Sequence, residues 1–240
     1  MTATPPIRLL VHGAKGKMGT RIAALARDDV RFELVAAHDL ADREASQAHA
    51  PGAFHAIIDF SSDSGAQHAA HLAVKHRAAL VVGTTGLSPD SLEIIGFAAR
   101  SSAVMIASNT SLGVAVLNHL AAEAARLLGA EFDIDLIETH HTMKRDAPSG
   151  TALTLAATLR AKAGVQLPPQ RIHSIRAGDV IGEHIVQFSG PGERIILGHF
   201  ATNRDLFARG ALRAAAWLHG QPPGRYTIEQ SLGLGGRAPA

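Results

Sequence analysis

"IRLLVHGAKGKMG", residues 7–19, decides the fold. A short run rich in Ile, Leu and Val breaks into a turn with glycines at 13, 16 and 19. From Met18 the pattern becomes helical, with Met18, Ile22, Leu25 and Ala26 recurring at helical spacing on one face. The chain then repeats this alternation: "FELVAAH" at 32–38, a helical pattern over 64–76, "LVVG" at 80–83, a helical pattern over 89–100, and "VMIAS" at 104–108. Short β-rich runs alternating with helices predict an α/β fold, a Rossmann-like doubly wound parallel sheet with helices on both faces.

Beyond this the character changes. A long helical pattern over 112–128 leads to "DIDLIE" at 133–138, which reads as a strand, and a helical pattern follows at 151–163. Then "RIHSIRA", "EHIVQFSG" and "ERIILGHFA" form consecutive strand-like runs separated by Gly or Pro-Gly. This is the α+β character of a second domain, inserted into the first or appended to it. A last helix over 205–219 precedes a short final run, "YTIEQSLGL".

Composition narrows the classes. With 240 residues, 46% hydrophobic and 18% charged, the chain can bury a sizeable core and reads as globular. Its 23 Lys and Arg are scattered and the formal charge is only +2, so no phosphate-tracking surface is expected and nucleic acid is excluded as a partner. There is no cysteine, which removes disulfides, thiolate metal sites and a cysteine nucleophile; redox chemistry would need a cofactor. Nothing reads as a targeting segment or as an apolar run of membrane-spanning length, which makes the cytoplasm the expected location and a membrane no partner.

A glycine-rich strand-to-helix turn lets backbone approach a pyrophosphate whose charge is held by free amides at the helix N-terminus. "GAKGKMG" departs from the G-x-G-x-x-G spacing at Lys15, and glycines also serve turns that bind nothing. Asp39, however, ends the second strand twenty positions after Gly19, where a carboxylate can accept hydrogen bonds from a ribose. "DFSS" from Asp59, "GTTG" at 83–86 and "ASNTSLG" at 107–113 also fall at carboxyl ends of predicted strands. Each could merely make turns and caps, but together with the first turn they outline a dinucleotide cleft.

"ETHHTMKRDAPSGTAL", residues 138–153, carries a second grouping. His140 and His141 are adjacent and would point to opposite faces of a strand, which disfavours a shared metal; no metal is expected. His68, His71 and His76 read as exposed positions on a helix. An imidazole near Lys144 suits proton handling and charge stabilisation. Ser149, Gly150 and Thr151 open a helix whose free amides could receive a carboxylate. A capped helix with surface His and Lys explains the same residues about equally well.

This stretch resembles the signature of the dihydrodipicolinate (4-hydroxy-tetrahydrodipicolinate) reductase family. "GAKGKMG", "IDFSS", "VVGTTG", "ASNTSLGV", "RAGDVIGEHIVQF", "GERIILGHFATNR" and "ARGALRAAAWL" resemble the family's other blocks in the same order. The resemblance implies a dinucleotide-binding domain over 1–111 completed by 204–240, and an inserted α+β substrate-binding and oligomerisation domain over 112–203 that builds a homotetramer. It implies NAD(P)H-dependent reduction of a cyclic dicarboxylate to tetrahydrodipicolinate and water, in lysine biosynthesis via diaminopimelate. Gly13, Ala14, Lys15, Gly16, Lys17, Met18, Asp39, Gly83, Thr84, Thr85, Ala107, Ser108, Asn109 and Thr110 would bind the cofactor. His140 and Lys144 would be catalytic, and His141, Gly150 and Thr151 would hold the substrate carboxylates. The chain departs from the family in a short segment between Asp39 and Asp59, in Thr110 where many members carry an aromatic or bulky apolar residue, and in Leu40 where some carry arginine.

A 2′-phosphate would sit against the Asp39 carboxylate, and Leu40 offers no cation, although Arg43, Lys15 and Lys17 are near in sequence. NADH is therefore expected to serve at least as well as NADPH. The alternatives are another two-domain NAD-dependent dehydrogenase acting on an amino or keto acid, and a non-catalytic NAD(H)-binding regulator.

Overall fold

The computed structural model describes residues 5–234, apart from the side chains of Leu40 and Arg43. The chain forms two compact units, one running to Thr110 and resuming at Asp205, the other Ser111–Arg204. In the first, β1 (Ile7–His12), α1 (Lys17–Arg27), β2 (Phe32–His38), α2 (Arg43–Ala48), β3 (Ala56–Asp59), α3 (Asp63–His76), β4 (Ala79–Val82), α4 (Pro89–Ala98) and β5 (Ala103–Ile106) follow one another. The sequence patterning assigned no element to 43–48, a segment too short and polar to show a helical period. The side chains of Ser62 and Ser88 cap α3 and α4 by accepting from Gly65 N–H and Ser91 N–H. α1 instead opens at Gly16, which supplies no side-chain cap.

The second unit begins with α5 (Leu112–Leu128), capped by Ser111, and β6 (Asp133–His140). α6 (Gly150–Ala163), β7 (Ile172–Arg176), β8 (Glu183–Gly190) and β9 (Glu193–Phe200) complete it. Its sheet has the order β7-β6-β8-β9, with β7 parallel to β6 and the other pairs antiparallel. Alternation along β6 sends Ile134 and Leu136 to one face, where they pack with Val186 and Phe188 of β8 against Leu117, Ala121, Leu155 and Leu159 of α5 and α6. Further along the same face β6 presents Glu138 and His140, and β8 presents His184, all buried. One face is thus apolar at one end and ionisable at the other. On the opposite face Ile175, Ile196 and Phe200 are exposed.

The chain then returns to the first unit as α7 (Asp205–Leu218) and β10 (Gly224–Tyr226). Only the start of "YTIEQSLGL" belongs to that strand; a 3₁₀ turn over Gln230–Leu232 follows. The sheet is parallel throughout, in the order β10-β5-β4-β3-β1-β2. Leu10, Ile57, Leu80, Val82 and Val104 pack with α3 and α4 on one face. On the other, Leu9, Val11, Ile58 and Val81 are equally buried, and α7 lies against β3, β4 and β5. Burial on both faces explains the uninterrupted apolar runs. β2 follows β1 on one side and β3 pairs β1 on the other, so the strand order reverses at the carboxyl ends of β1 and β3, the position where open α/β sheets bind ligands.

His68 and His76 are buried, contrary to the exposed placement read from the sequence, whereas His71 is exposed. Each found a partner the sequence does not display: His68 Nε2 lies 2.7 Å from Ser46 Oγ, and the His76 ring packs 4.6 Å from Phe54. Among the described residues no helix is long and apolar enough to cross a membrane.

Candidate active site and cofactor loops

In the second unit the ionisable end of the sheet face gathers around one carboxylate. Glu138 is fully buried, and Arg176, brought alongside by the parallel pairing of β6 with β7, donates from Nη2 to Oε1 at 2.8 Å and from Nη1 to Oε2 at 3.0 Å. Glu138 also accepts from Ser149 N–H at 3.2 Å and forms a short contact with His140 Nδ1. Burial alone would raise this carboxyl. Hydrogen bonds from Arg176, Ser174 and His140 outweigh it and hold the group down at about 2.

A carboxylate only accepts, so Nδ1 of His140 carries the proton and Nε2 is the nitrogen left to exchange one. Gly182 keeps the Nε2 edge uncrowded, since a Cβ there would lie 3.1 Å from it. Burial pushes the His140 pKa down, partly opposed by Glu138. The neighbouring His184, its ring 5.2 Å away, is pushed down to about 4, by burial first and by His140 second. Its Nε2 lies 3.2 Å from Ser149 Oγ, the oxygen that also caps α6 by accepting from Ala152 N–H.

Lys144 lies just past the strand, its ammonium 2.8 Å from Asp146, and its side chain is about one-fifth exposed. Asp146 is the more open partner, and its carboxyl is lowered chiefly by the hydrogen bond from Lys144. β6 continues through His140 and stops there, leaving His141 half-buried outside the strand. Gly150 begins α6, and nothing lies within 4 Å of where its side chain would be. The first-turn amides of a helix have no intrahelical acceptor, and this end joins open space at Gly150 to backbone donors of which Ala152 N–H is capped by Ser149 Oγ.

In the first unit the glycine turn folds against the start of the β3–α3 connection. Gly13 has φ +80°, and a Cβ on it would lie 2.2 Å from the Phe60 carbonyl oxygen, so no other residue fits. Gly13 and Ala14 N–H both donate to the His38 carbonyl, tying the turn to the end of β2. There Asp39 accepts from Lys15 N–H at 2.9 Å, and its own N–H donates to Asp42. Lys15 Nζ reaches Asp42 at 3.5 Å, and the Asp42 carboxyl is lowered, first by the Asp39 N–H. A half-buried carboxylate held against a glycine turn, next to a helix that lacks a side-chain cap, fits the ribose and pyrophosphate of a dinucleotide.

A family model described as dihydrodipicolinate reductase, N-terminus, matches residues 7–110, and one described as dihydrodipicolinate reductase, C-terminus, matches residues 113–232. The chain belongs to the dihydrodipicolinate reductase family. A 4-hydroxy-tetrahydrodipicolinate reductase of Stenotrophomonas maltophilia (strain R551-3) is 46% identical over 241 residues, covering 95% of this chain and 98% of the relative. One from Xanthomonas campestris pv. campestris (strain B100) is 45% identical, covering 94% and 97%. The dipicolinate-bound dihydrodipicolinate reductase from Paenisporosarcina sp. TG-14 shares the fold, with a TM-score of 0.76 at 23% identity, covering 95% of this chain and 99% of that one.

Within this reductase fold the residues singled out from the sequence fall into two groups, one per unit. His140, His141, Lys144, Gly150 and Thr151 sit at the end of β6, in the loop after it and at the start of α6. The glycine turn, Asp39, Gly83, Thr84, Thr85 and the segment 107–110 lie at the carboxyl ends of β1, β2, β4 and β5. Lys15, Gly16, Lys17, Thr85 and Ser108 are exposed, and Ala14, Met18 and Asn109 are half-buried. Thr110 is buried, its hydroxyl donating to the Phe207 carbonyl at 2.7 Å, and Ala107 is buried too. The side chains of Leu40 and Arg43 lie outside the described residues. Sequence reasoning missed Glu138, Arg176, Gly182 and His184. Only Glu138, two residues before His140 and so on the same strand face, left a readable signal.

Proposed function

We propose that the chain reduces 4-hydroxy-tetrahydrodipicolinate to tetrahydrodipicolinate with release of water, on the route to lysine through diaminopimelate. The observation that carries this reading is the Glu138–His140 pair beside Lys144 and the open N-terminus of α6. NADH or NADPH, when bound, supplies a hydride. The glycine turn 13–18, Asp39 and the turns at 83–85 and 107–110 hold the cofactor, and the backbone does most of the binding at the last two.

The second unit takes the substrate. Lys144, α6 amides at Gly150 and Thr151, and His141 bind its carboxylates, and one carboxylate replaces Asp146 as the partner of the ammonium. An incoming dianion raises the proton affinity of His140 against the effect of burial. His140 then delivers a proton from Nε2, while Glu138 holds Nδ1 and stabilises the charged ring. Lys144 offsets negative charge that develops on the substrate during reduction.

A catalytically silent NAD(H)-binding regulator would have no use for a buried carboxylate fixing a histidine tautomer. The uncovered sheet face bearing Ile175, Ile196 and Phe200 supports the homotetramer. A cytoplasmic location belongs to the same reading, because NAD(P)H is supplied there. The test is NADH oxidation in a coupled assay, with substrate freshly made by the preceding synthase. Turnover is expected; well-folded protein that binds NADH without oxidising it would favour the regulator.

A further inference from the structure

We propose that Asp59 is a positioning residue for the dinucleotide turns, holding the loops after β3 and β4 in place through the hydroxyls of Ser61 and Thr84, with His12 as its third partner. The proposal rests on the reading that the first unit binds NAD(P)H.

Asp59 ends β3 and is fully buried. Parallel register places it between His12, the last residue of β1, and Val82, the last of β4. The residues just before it, Ile57 and Ile58, are apolar and equally buried, so this is a place where an apolar side chain would suit stability. The carboxylate instead accepts from His12 Nδ1 at 2.8 Å, Ser61 Oγ at 2.5 Å and Thr84 Oγ1 at 2.6 Å. Thr84 Oγ1 in turn accepts from Ser61 N–H at 2.8 Å. The two loops are therefore bonded to each other and to one buried anion.

Main-chain contacts converge on the same place. Phe60 N–H donates to the His12 carbonyl at 3.0 Å and Gly83 N–H to the Asp59 carbonyl at 2.8 Å, extending the sheet ladder one residue into each turn. Past those bonds, the backbone at 61 and 84 is held to its neighbours by the Asp59 cluster. Because the Thr84 hydroxyl both donates and accepts inside the protein, its share in holding a ligand falls to the main chain. Loosening the cluster should therefore weaken cofactor binding more than it slows chemistry.

The test uses the full chain: NADH dissociation constants by fluorescence titration, steady-state constants for both substrates, and thermal midpoints. Thr84→Val keeps the volume and removes both bonds, and should weaken NADH binding about tenfold, the loss of one net hydrogen bond to a charged group. The fall in kcat at saturating NADH should be smaller. Thr84→Ser, which keeps the hydroxyl, should restore affinity, and Asp59→Asn should add less to Thr84→Val than it does to the wild type. Ser61→Ala, a milder change, should weaken NADH binding in the same direction and serves if Asp59→Asn does not fold. Wild-type affinity in both Thr84→Val and Ser61→Ala, or losses confined to the thermal midpoint, would overturn the proposal. A wild-type chain that does not bind NADH would overturn the dinucleotide reading itself, and the wild-type titration tells the two failures apart.

Discussion

Glu138 shows how one residue converts a sheet register into chemistry. It lies on the inward face of β6, where Leu136 two residues earlier packs in oil, yet it meets Arg176, His140 and the Ser149 amide. A buried carboxylate with this many donors is stable only as the anion, and as the anion it dictates which nitrogen of His140 is protonated. Glu138→Gln tests that role. The amide oxygen could still accept from one neighbour, but the amide nitrogen would compete with the Nδ1 proton and leave Arg176 without its countercharge. We expect kcat to fall by about 100-fold, within the range set by a positioned proton donor, with NADH affinity near wild type. Breaking the buried ion pair should also cost about 3 kcal/mol in chemical denaturation. Wild-type kcat in a folded Glu138→Gln variant would remove the pair from the mechanism.

At the scale of elements, legibility followed sequence distance. The first strand, the glycine turn and α1 are contiguous, so period and punctuation displayed them, and His140, Lys144 and Gly150 fall within one stretch for the same reason. Arg176, Gly182 and His184 reach the site only through the pairing of β7 and β8 with β6, and no local pattern reports which residues that register will face. The burial of His68 and His76 was hidden likewise, because Ser46 and Phe54 lie far along the chain. The turn after β2 gives the element its functional test. Two carboxylates meet there: Asp39 accepts the Lys15 amide, and Asp42 engages the Lys15 ammonium and the Asp39 amide. The Lys15 ammonium thus already has a countercharge in Asp42, and a 2′-phosphate would meet the Asp39 carboxylate with that cation engaged elsewhere. NADH should be used at least as well as NADPH, with the difference mainly in affinity, and Leu40→Arg should shift preference toward NADPH. Steady-state kinetics with each cofactor at fixed ionic strength decides this; a strong wild-type preference for NADPH would mean that Asp39 does not face the ribose.

For the whole molecule, the second unit carries one sheet face that its own helices leave open. Its sheet buries one face beneath α5 and α6, whereas Ile196 is 58% exposed, Phe200 55% and Ile175 46% on the other. Scattered exposed apolar residues need no explanation, but these three share a single sheet face with Ile137 and Ile185, paired across β6 and β8, in a strip that Thr139, Glu183 and Gln187 interrupt. Self-association of identical strips is the simplest cover, and closed symmetry makes each substitution count once per subunit. Ile196→Lys places an unpaired ammonium within that strip in every copy. Sedimentation equilibrium should find the wild type as a tetramer and the variant shifted to smaller species at the same concentration, with the fold of each subunit intact by circular dichroism. NADH affinity should change little, since Ile196 belongs to the second unit and the nucleotide turns to the first. A wild type that sediments as a monomer would show that the strip faces water in solution and that the homotetramer is wrong for this chain.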